Sequence, residues 1–342
     1  MNLEMYVKIQ PQLIDLYVEY PIFLFQPASG QYLRFKPRDD QYRKSTIGEI
    51  ISRNINIYVR LDDQKKCSKL IEAKLKQLLE GKLNTEKAGL VKGYTIQLLD
   101  EFFAEMAYKN RAKEDTKNGL MQMQRIAEQY ADLCFRDKNI LTMLHKYTMK
   151  DTTTTSHSVN TMVLTLMFLM KNEKYIRVTD YPSPVREKKE ILKSWALGAL
   201  LHDLGKIHIP DDILKANRRL TPDEFEIMKM HVDFGMNILR TMYANLKDNI
   251  IVRKCIQDHH ERLDGCGYPQ KIKGVSVPGR ILGMIDCFEA LTTSKRPYRE
   301  ATSAFGALQI IKKETDSGKF DKDVFICLVN IVAEADSEVV QQ

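Results

Sequence analysis

Hydrophobic and polar positions follow two different patterns along this chain, and the change between them lies near residue 65. In the first part, the apolar segments YVEYPIFLFQ and QYLRFK lie on either side of the turn-forming residues 27–30, and INIYVRL follows. Short segments rich in aromatic and β-branched residues, separated by Pro and Gly, are typical of β-strands. The pattern therefore predicts a small strand-rich domain at residues 1–65.

From Gln64 onward the apolar residues take the spacing of amphipathic helices. KLIEAKLKQLLE has apolar residues three and four positions apart, and Asn84 or Thr85 is placed to cap a second helix that runs toward Tyr108. This segment predicts a helical connector at residues 66–110. A connector of this kind suits signal transmission or dimerisation, so it is also our candidate contact for a homodimer.

From about Arg111 to the end, one helical pattern follows another, with no strand pattern between them. We predict an all-α bundle at residues 111–342 and an α+β class for the whole chain. One helix start is specified in TPDEFEIMKMH, where Thr221 can cap the helix, Pro222 suits the first turn and Glu224 completes a capping box. The expected helix continues through His231.

Composition narrows the class of protein. The chain has 342 residues, of which 44% are hydrophobic, and a net charge of +7 that is spread along its length. This size allows two cores, and the even charge gives no reason to expect a nucleic-acid polymer as partner. Six cysteines without a CxxC pair and no signal peptide predict a cytoplasmic location. The apolar run TMVLTLMFLM is about half of what a bilayer requires, so no membrane partner is expected.

Histidines are concentrated in one region. Six of the seven lie between His157 and His260, two of them adjacent in QDHHERLDG and one followed by Asp in LLHDLGK. A lone histidine on an apolar helix is usually a core residue, and we interpret His145 in that way. A cluster of histidines with nearby aspartates instead favours a divalent metal such as Mn, Fe, Zn or Co.

Two aspartates add to this interpretation. Asp203 follows His202 where the helix KSWALGALLHDLGK should end, with Gly205 placed to terminate it in the left-handed conformation. Taken alone, the pair is better explained as an ordinary helix end, although a carboxylate can also bridge two ions. Asp286 lies in the apolar helix RILGMIDCFEAL, where an unpaired buried carboxylate is costly. We expect a metal as its partner, with a salt bridge to a distant Arg or Lys as the alternative.

The successive segments HDLGKIHIP, LTPDEFEIMKMH, HHERLDGCGYP and a helix with Asp286 that leads to RPYR resemble the motifs of the HD-GYP family. The resemblance covers roughly Lys138 to Ala301. HD-GYP proteins belong to the HD phosphohydrolases, all-helical enzymes that hold metal ions among His and Asp residues. Most characterised members hydrolyse the bacterial second messenger cyclic di-GMP to pGpG and sometimes to GMP. The resemblance therefore implies a metal-dependent cyclic di-GMP phosphodiesterase of bacterial signalling.

The resemblance also implies a binuclear centre, with iron or manganese as the expected metals. Asp203 would bridge the two ions, and Lys206 resembles the family lysine that meets the scissile phosphate, so these two are the expected catalytic residues. Some relatives hold a third ion through a glutamate, but Thr153 stands at that position, and we expect two ions. The first ion would be held by His157, His202, Asp203 and Asp286, and the second by Asp203, His231, His259 and His260.

Substrate contacts are assigned on the same basis. In DGCGYP, the glycines and Pro269 permit a tight turn that presents Tyr268 outward, where it can stack on or hydrogen-bond a guanine; a tyrosine that only packs the loop is the alternative. Arg296 and Arg299 are candidates for the second phosphate, or else solvated surface charges. The segment YPSPVREKKE resembles an insertion near the site, and Glu289 stands where the family usually has Asp.

Two other functions stay open at this point. The same fold and metals occur in HD phosphohydrolases that act on other nucleotides. Alternatively, a catalytically weak or inactive HD-GYP protein would act as a receptor or scaffold. For a protein partner, the N-terminal domain and the GYP loop are the candidate contact regions.

Overall fold

The computed structural model describes residues 5–26, 28–36, 53, 55–107, 113–136, 140–146, 153–176, 188–242, 246, 248–292 and 301–340. The chain divides into two compact units, Met1–Gly119 and Leu120–Gln342. The α+β class predicted from the sequence is confirmed. The domain limits predicted near residues 65 and 110 stay predictions.

The first unit contains a four-stranded antiparallel sheet formed by β1 (Tyr6–Ile9), β2 (Ile22–Gln26), β3 (Gln31–Lys36) and β4 (Ile57–Arg60). The strand order is β1-β4-β2-β3. The predicted hairpin is formed by β2 and β3, where Phe25 pairs with Tyr32, and Gly30 adopts a φ of 66° in the turn. The core face of the sheet includes Ile22 and Ile57, both fully buried.

Two long helices of the first unit, α1 (Leu61–Glu80) and α2 (Thr85–Ala107), correspond to the segment predicted as a connector. The Asn84 side chain caps α2 by accepting from the Lys87 amide at 2.9 Å, as one of the two predicted options. The buried Gln97 of α2 accepts from the Gln10 amide at 2.9 Å and donates to the Lys8 carbonyl oxygen at 3.0 Å. These bonds attach α2 directly to β1 and the residue that follows it.

Every secondary-structure element described in the second unit is a helix, as the sequence predicted. Its core is built around helices α5 (Thr154–Lys171), α6 (Lys188–Leu201) and α11 (Val277–Thr292), which are apolar on most sides. Phe168, Trp195 and Phe288 of these helices are fully buried. Across the described part of the chain, no helix combines the length and the hydrophobicity that a bilayer crossing requires. The helices of α3 onward are α3 (Lys113–Arg136), α4 (Ile140–Lys146), α5 (Thr154–Lys171), α6 (Lys188–Leu201), α7 (Asp211–Leu214), α8 (Pro222–Lys229), α9 (His231–Met242), α10 (Ile250–Asp258), α11 (Val277–Thr292), α12 (Ala304–Asp316) and α13 (Lys322–Val340).

The prediction that Gly205 ends a helix in the left-handed conformation is wrong. Helix α6 ends at Leu201, and Gly205 lies in the short 3-10 helix Leu204–His208 without the positive φ expected of a helix-terminating glycine. A side chain at Gly205 would overlap the His231 carbonyl oxygen and the Gly235 amide of α9. The glycine is therefore required by the close approach of α9, which brings His231 beside Asp203.

The helix predicted to run through His231 is broken. The capping box of Thr221 and Glu224 is present as predicted, but α8 ends at Lys229 and a separate helix, α9, begins at His231. Met230 forms the break, and the Nδ1 atom of His231 lies 2.7 Å from the Met228 carbonyl oxygen. His231 is thus placed in the first turn of a helix and not in the middle of one.

Candidate metal centre

The structure brings the seven predicted ligands together in the second unit, although they come from five separate parts of the chain. His157 lies in the first turn of α5, His202 and Asp203 follow α6, and Asp286 lies in the middle of α11. Their ligand atoms form two groups, and within each group all ligand atoms lie within 4.8 Å of one another. One group is His157, His202 and Asp286, and the other is Asp203, His231, His259 and His260.

Asp203 lies between the two groups. Its Oδ2 atom is 3.4 Å from His202 Nε2 and 3.8 Å from His157 Nε2. Its Oδ1 atom is 3.5 Å from His231 Nε2 and 4.0 Å from His259 Nε2. Because the two oxygens face different pairs of histidines, one carboxylate can contact an ion in each group.

The ring orientation of three histidines is fixed by the backbone. The Nδ1 atom of His202 lies 2.7 Å from the Ala199 carbonyl oxygen, and the Nδ1 atom of His259 lies 2.9 Å from the Ile256 carbonyl oxygen. His231 makes the corresponding bond to Met228. An Nδ1–H group that donates to a carbonyl leaves the lone pair on Nε2, which is the atom directed toward Asp203.

The residues present fit a divalent metal. His202 is fully buried, and its Nε2 atom has no hydrogen-bond partner among the described residues, which a bound cation would provide. Burial lowers the pKa of His231 to about 4 and that of His259 to about 3, so both rings are neutral at pH 7. Burial opposes ionisation of Asp203, but Lys206 and the neighbouring histidines hold its pKa well below the usual range. Neutral imidazoles around a carboxylate are the donors that Mn, Fe, Zn and Co prefer.

Lys206 lies at the edge of this centre. Its Nζ atom forms an ion pair with Asp203 Oδ2 at 2.6 Å, and its side chain is 23% exposed. A lysine in this position offers a positive charge next to the ligands while staying accessible to a molecule that approaches from solvent.

Glu289 is a residue that the sequence analysis noted only as a departure from the family pattern. One of its oxygens bonds to His157 Nδ1, and the other accepts from the Asn160 side-chain amide at 2.8 Å. Burial lowers the pKa of His157, but Glu289 and Asp286 outweigh it and raise the pKa to about 10. The available signal was its position, one helical turn after Asp286 in an otherwise apolar helix.

We expect Glu289→Gln to weaken metal binding at the His157 group by about 10- to 100-fold, the effect typical of a lost carboxylate behind a histidine ligand. The amide keeps the shape of the side chain but removes the charge that orients His157. Metal affinity is measured by competition with a chelating dye. Glu314→Gln, which removes the surface ion pair with Lys319 at 3.0 Å, is the matched control and should leave the affinity unchanged. Equal affinities in both variants would contradict the orienting role of Glu289.

The GYP loop differs from the prediction at Tyr268. The glycines do shape a turn, since Gly265 has a φ of 80°. The Tyr268 ring is half-buried rather than directed outward, and it stacks on His260 with ring centroids 4.5 Å apart. The Tyr268 amide donates to the His260 carbonyl oxygen at 3.2 Å, which holds the ring beside His260. The Glu261 carboxylate closes the loop by accepting from the backbone amides of residues 270, 271 and 272 at 2.6, 3.1 and 3.2 Å.

Several residues named in the sequence analysis lie outside the described residues or outside the two ligand groups. Arg296, Arg299 and residues 177–187, which include most of YPSPVREKKE, lie outside the described residues. Thr153 caps α5 by accepting from the Ser156 amide at 3.2 Å. The expectation of two ions and the individual roles of the site residues stay predictions.

Comparison with known proteins agrees with the motifs. Residues 179–324 match the family model of the HD domain. A cyclic di-GMP phosphodiesterase from Thermotoga maritima is 30% identical over 267 residues, which cover 75% of this chain and 65% of that protein. A 3'3'-cGAMP-specific phosphodiesterase from Vibrio cholerae is 34% identical over 142 residues, which cover 41% of this chain and 32% of that protein.

A solved structure has the same fold. The chain is similar to an HDG"Y"P protein from Bdellovibrio bacteriovorus with a TM-score of 0.67 and 18% sequence identity, covering 96% of this chain and 100% of that one. At this identity the similarity concerns the fold alone. The matching part of this chain spans less than two thirds of the length of each curated relative described above, 65% and 32%.

Proposed function

We propose that this chain, whose residues 179–324 match the HD domain, is a metal-dependent phosphodiesterase that hydrolyses a cyclic dinucleotide. Cyclic di-GMP is the leading substrate, and the relatives that carry this name support it. The observation that carries the proposal is the position of Asp203, whose two oxygens face two separate groups of histidine ligands. Two ions held by these groups would suit the in-line displacement of a phosphodiester.

The chain's own residues have distinct tasks in this proposal. The two ligand groups would hold divalent ions, iron or manganese, which would supply the Lewis acidity needed to activate water and to offset charge on the phosphoryl oxygens. Asp203 links the two ligand groups, and Glu289 orients the His157 ring. Lys206 donates from Nζ to a non-bridging phosphoryl oxygen and stabilises the negative charge that develops there.

A second substrate of the same class is 3'3'-cGAMP. Two relatives from Vibrio cholerae, 34% and 39% identical over their matched parts, carry names that specify this nucleotide. Both candidate nucleotides have two phosphodiester bonds and at least one guanine. The metal centre acts on the phosphodiester, so it does not by itself distinguish between them.

The direct test is turnover by the metal-loaded chain. We expect protein purified anaerobically to contain close to two ions of iron or manganese and to convert cyclic di-GMP to pGpG. A chelator should abolish the activity and added Mn²⁺ should restore it, because the ligands on the protein remain. Metal content is measured by elemental analysis and product by chromatography. Tight nucleotide binding without turnover by the fully metallated chain would contradict the proposal and favour a receptor.

A further inference from the structure

A row of aromatic rings leads from the metal centre to the surface. Tyr268 stacks on His260, and the ring of Phe225 lies beyond it, with centroids 6.3 Å apart and an edge-to-face angle of 83°. Phe225 is 45% exposed. Part of a large apolar ring is therefore open to solvent next to the second ligand group.

Lys229 adds a positive charge to this row. It lies one turn after Phe225 on α8, and its Nζ atom is 4.9 Å from the centroid of Phe225 and 5.8 Å from that of Tyr268. Lys229 forms an ion pair with Glu226 at 2.6 Å. The Glu226 side chain is 70% exposed, so water competes with Lys229 for the carboxylate. The ammonium group is thus available to a ligand that covers the ring of Phe225.

The arrangement of Phe225 and Lys229 on helix α8 does not depend on packing against a hydrophobic core. None of its eight residues is buried, and its start is fixed by the capping box and by the two bonds of Arg218 to Glu224, both 2.6 Å. Its end is connected to the metal centre, because the Met228 carbonyl oxygen accepts the bond that orients His231. The position of Phe225 and Lys229 relative to the ligands is therefore set by the same segment that positions His231.

We propose that Phe225 and Lys229 form a guanine-binding platform for the substrate, an inference that rests on the proposed phosphodiesterase function. The base stacks on Phe225, and Lys229 donates to the O6 and N7 atoms of guanine. Aromatic rings beside a cation are a general means of holding an unpaired base. Guanine presents two acceptors on that edge, whereas adenine presents one acceptor and one donor, so a lysine selects guanine.

The binding test uses a tryptophan in place of Phe225. The chain has one tryptophan, Trp195, which is 2% exposed and provides a constant background. In the metal-loaded Phe225→Trp variant, cyclic di-GMP and GMP should quench the new fluorescence by stacking, and ribose 5-phosphate, which lacks a base, should not.

Phe135 provides a matched control. It is 49% exposed and has the Lys188 ammonium 5.7 Å from its ring centroid, so it repeats the aromatic and lysine pair of α8. Lys188 begins the 14-residue helix α6, whose other end precedes His202, which places the pair about 20 Å from the metal centre. Phe135→Trp should therefore show no quenching by either nucleotide.

Kinetics provide the second measurement. Phe225→Ala should raise the KM for cyclic di-GMP about tenfold, a change within the range found for base stacking on aromatic side chains. Phe225→Trp should retain a KM within about twofold of the unmodified chain, and Lys229→Gln should reduce the preference for cyclic di-GMP over cyclic di-AMP. Metal content should stay the same in all three.

The two proposals fail in different ways. Hydrolysis without quenching in Phe225→Trp, or with an unchanged KM in Phe225→Ala, would overturn the platform and leave the phosphodiesterase in place. Quenching specific to Phe225→Trp without any hydrolysis would overturn the phosphodiesterase and retain the base-binding platform. Equal quenching in the Phe225→Trp and Phe135→Trp variants would also overturn the platform.

Discussion

Asp203→Asn should remove both metal ions and lower phosphodiester hydrolysis by more than about a thousandfold, since the ions are expected to supply several kcal/mol of transition-state stabilisation. The substitution keeps the volume of the side chain. It removes the charge and replaces one of the two oxygens with an NH2 group, which cannot act as a ligand. Whichever oxygen is replaced, one of the two histidine pairs faces an NH2 group in place of the oxygen at 3.4 or 3.5 Å, and the other pair faces an amide oxygen without the negative charge.

Asp258, another buried aspartate that is paired with a lysine, provides the control. Asp258 is fully buried, is paired with Lys254 Nζ at 3.2 Å and directly precedes His259, yet it belongs to neither ligand group of the described residues. Asp258→Asn should retain both ions, as measured by elemental analysis beside the thermal unfolding midpoint. His231→Ala should lose the ion of its own group only. Full occupancy of both ions in folded Asp203→Asn would show that Asp203 is not the bridge.

Lys206→Ala should leave the metal content unchanged and lower kcat by about 10²- to 10³-fold, the loss typical of one donor to a developing negative charge. Loss of the Lys206 ammonium removes the ion pair with Asp203 at 2.6 Å, but bound ions would hold that carboxylate in its place. We therefore expect this variant to bind metal normally and to lose catalytic activity. The measurements are elemental analysis and the rate at saturating cyclic di-GMP.

Lys254 is an unusually close match for Lys206. Each lysine is 23% exposed and is paired with an aspartate of which 2% or less is exposed. Only Lys206 is paired with an aspartate that contacts both ligand groups. Lys254→Ala should therefore keep kcat within about twofold, and Lys206→Arg should keep part of the activity because the charge remains. Loss of bound metal in Lys206→Ala would contradict a role for Lys206 in catalysis alone.

Two kinds of feature could be predicted from the sequence. Local structure was predictable where a few neighbouring residues determine the backbone, as in the capping box at Thr221, the hairpin after Gln26 and the cap at Asn84. Candidate ligands were predictable because so few side chains can hold a divalent ion, and because the order of the motifs resembles a known family. Both rest on residue type and short spacing.

Other features required contacts between residues that are far apart in the chain. Glu289 was recognised only when α11 was seen to place it against His157, 132 residues away. Gly205 was predicted to end the preceding helix in the left-handed conformation, whereas the reason for a glycine there is the close approach of α9. Tyr268 was predicted to point outward but stacks on His260, where its amide donates to the His260 carbonyl oxygen at 3.2 Å.

The sequence by itself determined the fold class and a set of residues able to bind metal. Only the tertiary structure decided how that set divides into two groups, which nitrogen of His202, His231 and His259 faces a backbone carbonyl oxygen, and that the two oxygens of Asp203 face different groups. The physical reason is that ligation and hydrogen bonding depend on directions and distances of a few ångströms. Those distances are set by the packing of helices from distant parts of the chain, and neither residue type nor spacing along the sequence specifies them.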